Sequence, residues 1–426
     1  KRQSDGSIKW LLLDFQLTMA AGENLQLKLK DGPSNASPLE STQSSKQLIV
    51  TETSDGYMID SGQVRFTVHK HTAGFLVDVR NTEDGLQPCR INHLRLTTAN
   101  GQQLLPHVNK VEALEADNSI RKTFRLCGTF RDSSENDLID FELDLTFFFG
   151  LHTVKSDIMI RNPHAAAHPG GVWDLGDEKS FIFQDLSFVS RSIDDDSGTR
   201  PSIRFSPKER WRESDGGHMK LVQGSSGGEN WNSSNHIDSS GEVPLEYKGY
   251  RYFEYGEQAD EGLRASPTIH SQAENCSVTA YIVNFWQNFP KSIAVDESVI
   301  TVGLFPGGEA SRYELQGGEQ KQHSFYLNFG DDQSSLDSFV GDLTPKISRE
   351  YYAGTRVIPY LTSDSDDSKI RKMVDRGISG INNFFDKREQ IDEYGWRNFG
   401  EIFADHELHE YKGKEELISH YNNQYD

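Results

Sequence analysis

Phe141, Leu143, Leu145, Phe147 and Phe149 stand at every second position, with Glu142, Asp144 and Thr146 between them. Strand side chains point to opposite faces at successive residues, so this alternation marks a strand with one buried face. The period returns at Val64, Phe66 and Val68, at Val154, Ile158 and Ile160, and at Phe325, Leu327 and Phe329. Turn dipeptides such as Asp84-Gly85, Asn100-Gly101 and Gly307-Gly308 punctuate these runs. From residue 49 to about 335 helical periodicity is almost absent. Many short strands with turn signals predict a large antiparallel β-sandwich over residues 49–340.

Two stretches fall outside this pattern. Residues 31–56, rich in Ser, Asn, Asp and Gly, separate a first strand segment, Ile8 to Met19, from the sandwich. Asp194 to Ser240 is dense in Ser, Gly and Asp and holds Trp211 and Trp231. So long a stretch without periodicity inside a compact domain predicts a functional or disordered loop. After Ser368 the period changes: Ile370, Met373, Val374, Ile378, Ile381 and Phe385 recur at spacings of three and four. That is an amphipathic helix, with N-cap residues expected among Asp364 to Asp367.

The 426 residues carry 65 acidic and 44 basic side chains, a net charge of −21. This argues against general affinity for nucleic acid or anionic membrane, which need clustered Lys and Arg. One local basic pocket remains compatible with a polyanion. No apolar run reaches the ~18 residues of a membrane span. Cys89, Cys127 and Cys276 lack the paired spacing of zinc or redox sites, and their odd number leaves at least one without a partner in the chain. Both termini read as cut from a longer protein. The glycosylation patterns at Asn35, Asn232 and Asn275 are too short to decide anything.

Residues 386–426 hold the densest mixture of acids, bases, amides and aromatics, among them Tyr394, Trp396, Arg397, Asp405, His406, Glu407, His420, Tyr421, Asn422 and Asn423. Sugar-cleaving sites need such a mixture, with aromatic faces for pyranose rings, amides and carboxylates for hydroxyls and titratable groups for protons. A solvated helix-to-helix connection is the competing reading. His406, Glu407 and His409 invite a metal, but the histidines are three apart rather than four, so no metal site is assigned. A second cluster, Asn284 to Lys291, offers Trp286, Gln287, Asn288 and Phe289 as a sugar groove with Lys291 as its local positive charge. The alternative there is a strand edge whose aromatics pack into the sandwich and whose Pro290 ends the ladder. A third, Arg161 to Asp177, contains His164, His168, Trp173 and Asp174 and reads as an ordered loop.

Several longer motifs occur in one order: the run from Gln3 to Phe15, Arg161-Asn-Pro163 with Trp173 to Asp177, Asn284 to Lys291, Glu314 to Lys321, and Tyr394 to Phe399. Together they resemble the exo-rhamnogalacturonan lyase family, polysaccharide lyase family 26, and its YetA-like relatives, with ulvan lyases related to them. The resemblance implies three parts: a β-barrel-like N-terminal domain represented by residues 1–48, the sandwich, and an α/α-toroid of which residues 341–426 are the opening helices. It also implies β-elimination at a uronate linked to rhamnose. That chemistry needs a base for the C5 proton, an acid for the leaving oxygen, and donors that neutralise the carboxylate.

Arg397 fits the neutraliser, helped by Asn422 or Asn423, because its fork of donors matches a carboxylate. His406 or His420 fits the base, and Tyr394 or Tyr421 the acid. Trp286, Asn288, Lys291, Trp396, Asp405 and Glu407 complete the expected substrate contacts. No cofactor is expected, a divalent cation such as calcium being the one candidate. The expected partner is a polysaccharide or oligosaccharide, and a polymeric substrate places the enzyme outside the cytoplasm, secreted or periplasmic. Two rival readings stand beside the lyase. One is a non-catalytic carbohydrate-binding region. The other is a hydrolase with paired carboxylates from Asp392, Glu393, Asp405 and Glu407.

Overall fold

A computed structural model describes residues 4–6, 13–17, 19, 22–26, 47–81, 85–115, 120–167, 175–193, 199–214, 217–273, 277–308, 311–340, 347–358, 369–380 and 383–399. The strands form two antiparallel layers. The first runs Ile49–Glu52, Gly56–Asp60, Arg65–His69, Gly74–Asn81, Gly85–Thr98, Phe181–Ser192, Val299–Phe305, Lys291–Asp296, His218–Gln223, Tyr250–Glu254 and Glu257–Gly262, each pairing with the next. The second runs Gln103–Ala113, Arg121–Arg131, Asp137–Phe148, Thr153–Arg161, Gln320–Asn328, Val278–Ile282, Thr268–Gln272, Arg200–Arg204 and Arg212–Glu213. Strand Gln103–Ala113 belongs to both, pairing Gln103 and Leu104 with the first layer and Leu105 onward with the second.

The fold is the β-sandwich that the alternation predicts. In Asp137–Phe148, Phe141, Leu143, Leu145 and Phe147 are buried while Glu142 and Asp144 lie nearer solvent. The two inner faces meet through aromatic rings: Phe66 lies 4.9 Å from Phe147 and Phe188 lies 5.0 Å from Phe325, centroid to centroid. Centroid separations of this size give aromatic pairs some stabilisation beyond their buried area.

Before the sandwich, Gln16 donates to the Phe149 carbonyl and Asp14 pairs with Arg121, so residues 13–17 lie against the second layer. Cys89 is disulfide-bonded and Cys127 is a free thiol.

Five short helices follow among the described residues: α1 (Asp337–Val340), α2 (Arg349–Thr355), α3 (Lys369–Ser379), α4 (Phe384–Ile391) and α5 (Gly395–Asn398). The predicted amphipathic helix is therefore interrupted, α3 ending at Ser379 and α4 starting afresh with Asn383 as its N-cap. The Asn383 side chain accepts from the Phe385 and Asp386 amides, satisfying donors that a helix start leaves open. Asp364 to Asp367, the expected caps, lie outside the described residues. α1, α2 and α3 bury no residue, and Ile370, Met373 and Ile378 stand more than half exposed.

Candidate active site

The last described segment, residues 389–399, is fastened to the sandwich by a dense set of hydrogen bonds. Gly395 N donates to Gln287 O at 2.8 Å and Trp396 N to Phe289 O at 2.7 Å. From the Ser- and Asn-rich loop, Asn230 donates to Gln390 O, while Ser233 and Asn235 both donate to Ile391 O. These contacts satisfy carbonyls that the end of α4 leaves open. Arg264 adds a two-pronged pair with Glu389 at 2.7 and 3.2 Å, its guanidinium lying 4.0 Å from the Trp286 ring.

Tyr394 donates its hydroxyl to Glu389 Oε1 at 2.7 Å and packs 5.0 Å from Trp286. Burial pushes the Glu389 carboxyl up, but the bonds from Arg264 and Tyr394 outweigh it and hold the group below the usual carboxylate range. Burial, together with the Glu389 bond, drives the Tyr394 phenol well above its ordinary value.

Asp392 sits in a left-handed conformation (φ 57°) just after α4 and is fully buried. Its Oδ2 lies 2.8 Å from His236 Nε2, and its Oδ1 accepts from the Ser226 hydroxyl. A carboxylate bound to one ring nitrogen fixes the orientation and tautomer of an imidazole and leaves the other nitrogen for chemistry. His236 is itself 8% exposed and faces Phe289 edge-on at 5.3 Å.

His236 borders a cleft of about 880 Å³ that extends over the outer face of strands His218–Gln223 and Tyr250–Glu254. Its walls carry Trp396, Tyr247, Phe253 and Tyr313, and its cations are Lys220, Arg251, Arg312 and Arg397. Two carboxylates, Asp238 and Glu246, are the only acidic groups lining it among the described residues. None of the four cations forms an ion pair among the described residues. Arg251 lies 4.0 Å from the Tyr247 ring, and its Nε is a buried donor with no hydrogen-bond partner.

Such a donor costs about 1–3 kcal/mol when left unmet, more if charged. Burial pushes the Tyr247 phenol up to about 12, so it keeps its proton through neutral pH. Asp238 is also pushed up by burial, yet bonds from Ser240 and the Glu242 amide, with the Arg397 charge, hold it below the usual range.

Of the residues singled out from sequence, Arg397 and Trp396 line the cleft. Arg397 donates to the Ile237 carbonyl and lies 5.3 Å from the Trp396 ring. Trp286 and Tyr394 instead pack against each other and Arg264 at the docking seam. Asn288 is half-buried, its amide 3.3 Å from His323 Nδ1.

Lys291 does not present a charge to any groove: it has no exposed surface, and its ammonium donates to the Asn288, Pro290 and Leu304 carbonyls. Strand parity is the reason, since Lys291 shares the inward face with Ile293 and Val295 while Ser292 points outward. Phe285 and Phe289 are buried as the packing reading of that segment expects.

Asp405, His406, Glu407, His420, Tyr421, Asn422 and Asn423 lie outside the described residues, as do His168, Trp173 and Asp174. Among the described residues no group of three or more His, Cys, Asp or Glu side chains is placed to hold a metal ion. No described helix is long and apolar enough to cross a membrane.

The sequence reading missed His236, Arg251, Arg312 and Lys220. The sequence marks the loop containing His236 as functional or disordered and Asp392 as a candidate carboxylate, without any signal that pairs the two across 156 residues.

No family model matches the chain, and no curated protein matches it. Among solved structures, a galactose mutarotase related enzyme from Lactobacillus acidophilus is 9% identical, covering 65% of this chain and 97% of that one at a TM-score of 0.33. The alpha-galactosidase of Lactobacillus brevis is 10% identical over 68% of this chain and 41% of its own, at 0.34. A TPR-domain containing protein from Parabacteroides distasonis is 9% identical over 76% and 54%, at 0.37. The chain thus spans about half or less of the last two proteins, and likeness at this level assigns no function.

Proposed function

We propose that this chain is the sandwich and adjoining helical part of a polysaccharide lyase that cleaves a rhamnose- and uronate-containing polysaccharide of rhamnogalacturonan type by β-elimination. The observation that carries the reading is the charge of the cleft. In a chain of net charge −21, four cations that form no ion pair among the described residues converge on one concavity and outnumber the two carboxylates described there. A polyanionic ligand supplies counter-charges to these cations, a uronate carboxylate pairing with the guanidinium of Arg251 that lines the cleft. Aromatic walls at Trp396 and Tyr247 suit pyranose faces. The resemblance to the exo-rhamnogalacturonan lyase family supports the same chemistry.

In this reading Arg251 and Arg397 neutralise the uronate carboxylate and stabilise the enolate-like intermediate. His236, held by Asp392, removes the C5 proton. Tyr247, protonated at neutral pH and lining the same cleft, protonates the leaving oxygen. The described carboxylates do not favour the hydrolase reading. Asp392 is committed to His236 and Ser226, Glu393 is buried, and Asp238 is held below the usual range, whereas a general acid needs a raised pKa. Asp405 and Glu407 lie outside the described residues. The disulfide at Cys89 supports an extracytoplasmic location.

The deciding experiment incubates protein carrying this chain with rhamnogalacturonan and, separately, with ulvan, while recording the ultraviolet absorbance of a new C4–C5 double bond. Absorbance rises with rhamnogalacturonan. A rise with ulvan alone moves the substrate to that polymer, and new reducing ends without absorbance from either overturn elimination.

A further inference from the structure

Beside the basic cleft lies a second one of about 540 Å³, and the two share Lys220, Phe253, Pro306 and Gly307 as their common border. Each volume suits one ligand-sized group, since small-molecule sites span about 300–1,000 Å³. Joined, they form a trough.

Its floor follows from strand register. On the outward face of the first layer, Phe253, Lys220, Ala294 and Thr301 stand in one row, and Arg251, Val222, Ser292, Gly303, Ser187 and Arg95 in the next. Ala294 and Thr301 in one row and Ser292, Gly303 and Ser187 in the next keep the floor low, with Phe253, Lys220 and Arg251 at one side and Arg95 at the other. Gly303 has no side chain to spare room for: a Cβ there would sit 2.1 Å from the Ser292 hydroxyl.

The two clefts differ in charge. In the second, Asp185 pairs with Arg95 at 3.6 Å and also accepts from the Ser187 hydroxyl and the Gly307 amide. Asp296 likewise receives His218 Nδ1 at 2.6 Å. Apart from Lys220 at the shared border, its acids and bases pair with each other, whereas no ion pair joins the cations and carboxylates of the first cleft among the described residues.

Resting on the reading of the first cleft as a uronate site, we infer that the second is a subsite for the uncharged sugars next to that uronate, so that the substrate lies as an oligomer along the outer face of the sheet. Internally paired charges leave a polar, electrically balanced surface, which favours hydroxyls over another carboxylate.

Calorimetric titration with alternating rhamnose–galacturonate disaccharide and hexasaccharide tests this, on wild type and on Ala294→Trp and Thr301→Tyr, which fill the floor from two adjacent strands. The wild type binds the hexasaccharide at least about tenfold more tightly than the disaccharide. Both variants, checked for folding by thermal melting, erase most of that gain and leave disaccharide affinity unchanged within about twofold. A galacturonate-only hexamer gains less than the alternating one. Equal affinity for short and long oligomers, a gain that survives either folded variant, or an equal gain with the uniformly charged hexamer overturns the inference. A gain that responds to the variants without ultraviolet product overturns the lyase reading and keeps the subsite. Product without length dependence does the reverse.

Discussion

At the scale of single residues, the proposed chemistry converges on two groups that no local motif announces. His236 comes from a Ser-, Gly- and Asp-rich stretch and Asp392 from the end of a helix, and only the docking of 389–399 brings them to 2.8 Å. By contrast Arg397 and Trp396 were legible, because their dense polar and aromatic neighbourhood is itself the signal and both reach the cleft. Replacing His236 with Gln is expected to lower kcat by about 10²–10⁴-fold, the usual contribution of a positioned base, with KM changed little. Arg251→Ala is expected to raise KM as well as lower kcat, since a carboxylate contact serves both ground and transition states. Steady-state kinetics on both variants checks the split. An unchanged kcat in His236→Gln would leave the His236–Asp392 pair as part of the docking seam only.

At the scale of elements, alternation and period described the strands well and the helices less well. α3 ends at Ser379 and α4 begins at Phe384, although the apolar spacing in the sequence runs on from one to the other. Spacing records faces, whereas a cap such as Asn383 sets where a helix restarts. Lys291 shows a sharper failure: residue type marked it as a groove cation, but a one-residue step along a strand exchanges outside for inside.

α5 depends on Gly395, whose φ of 87° is open to glycine and whose added Cβ would come within 2.9 Å of the Phe289 ring. Gly395→Ala should therefore destabilise the protein by about 1–3 kcal/mol and displace Trp396 and Arg397 from the cleft. Urea unfolding reads the first effect and a fall in kcat/KM the second. A variant of wild-type stability and activity would show that 395–398 tolerate another path over the sandwich.

At the scale of the whole molecule, the sandwich buries titratable groups whose cost sets how stability follows pH. His323 lies in the core beside Phe305, and burial, reinforced by the charges of Lys291 and Lys321, holds its imidazole well below the ordinary 6.5. Burial also lowers His93, His152 and His270. In the unfolded chain these rings take up protons below about pH 6.5, while in the folded protein they do so only at lower pH. The unfolded state then binds more protons, so stability is greatest above that pH and falls as the solution is acidified.

For His323 alone the slope reaches at most about 1.4 kcal/mol per pH unit. Unfolding free energies measured in urea at about pH 7.5 and about pH 5.5 should show this loss, and His323→Gln, which cannot titrate, should reduce it by about one proton's worth. An identical pH slope in wild type and His323→Gln would mean that His323 takes up its proton as readily in the folded core as in the unfolded chain, and would overturn this account.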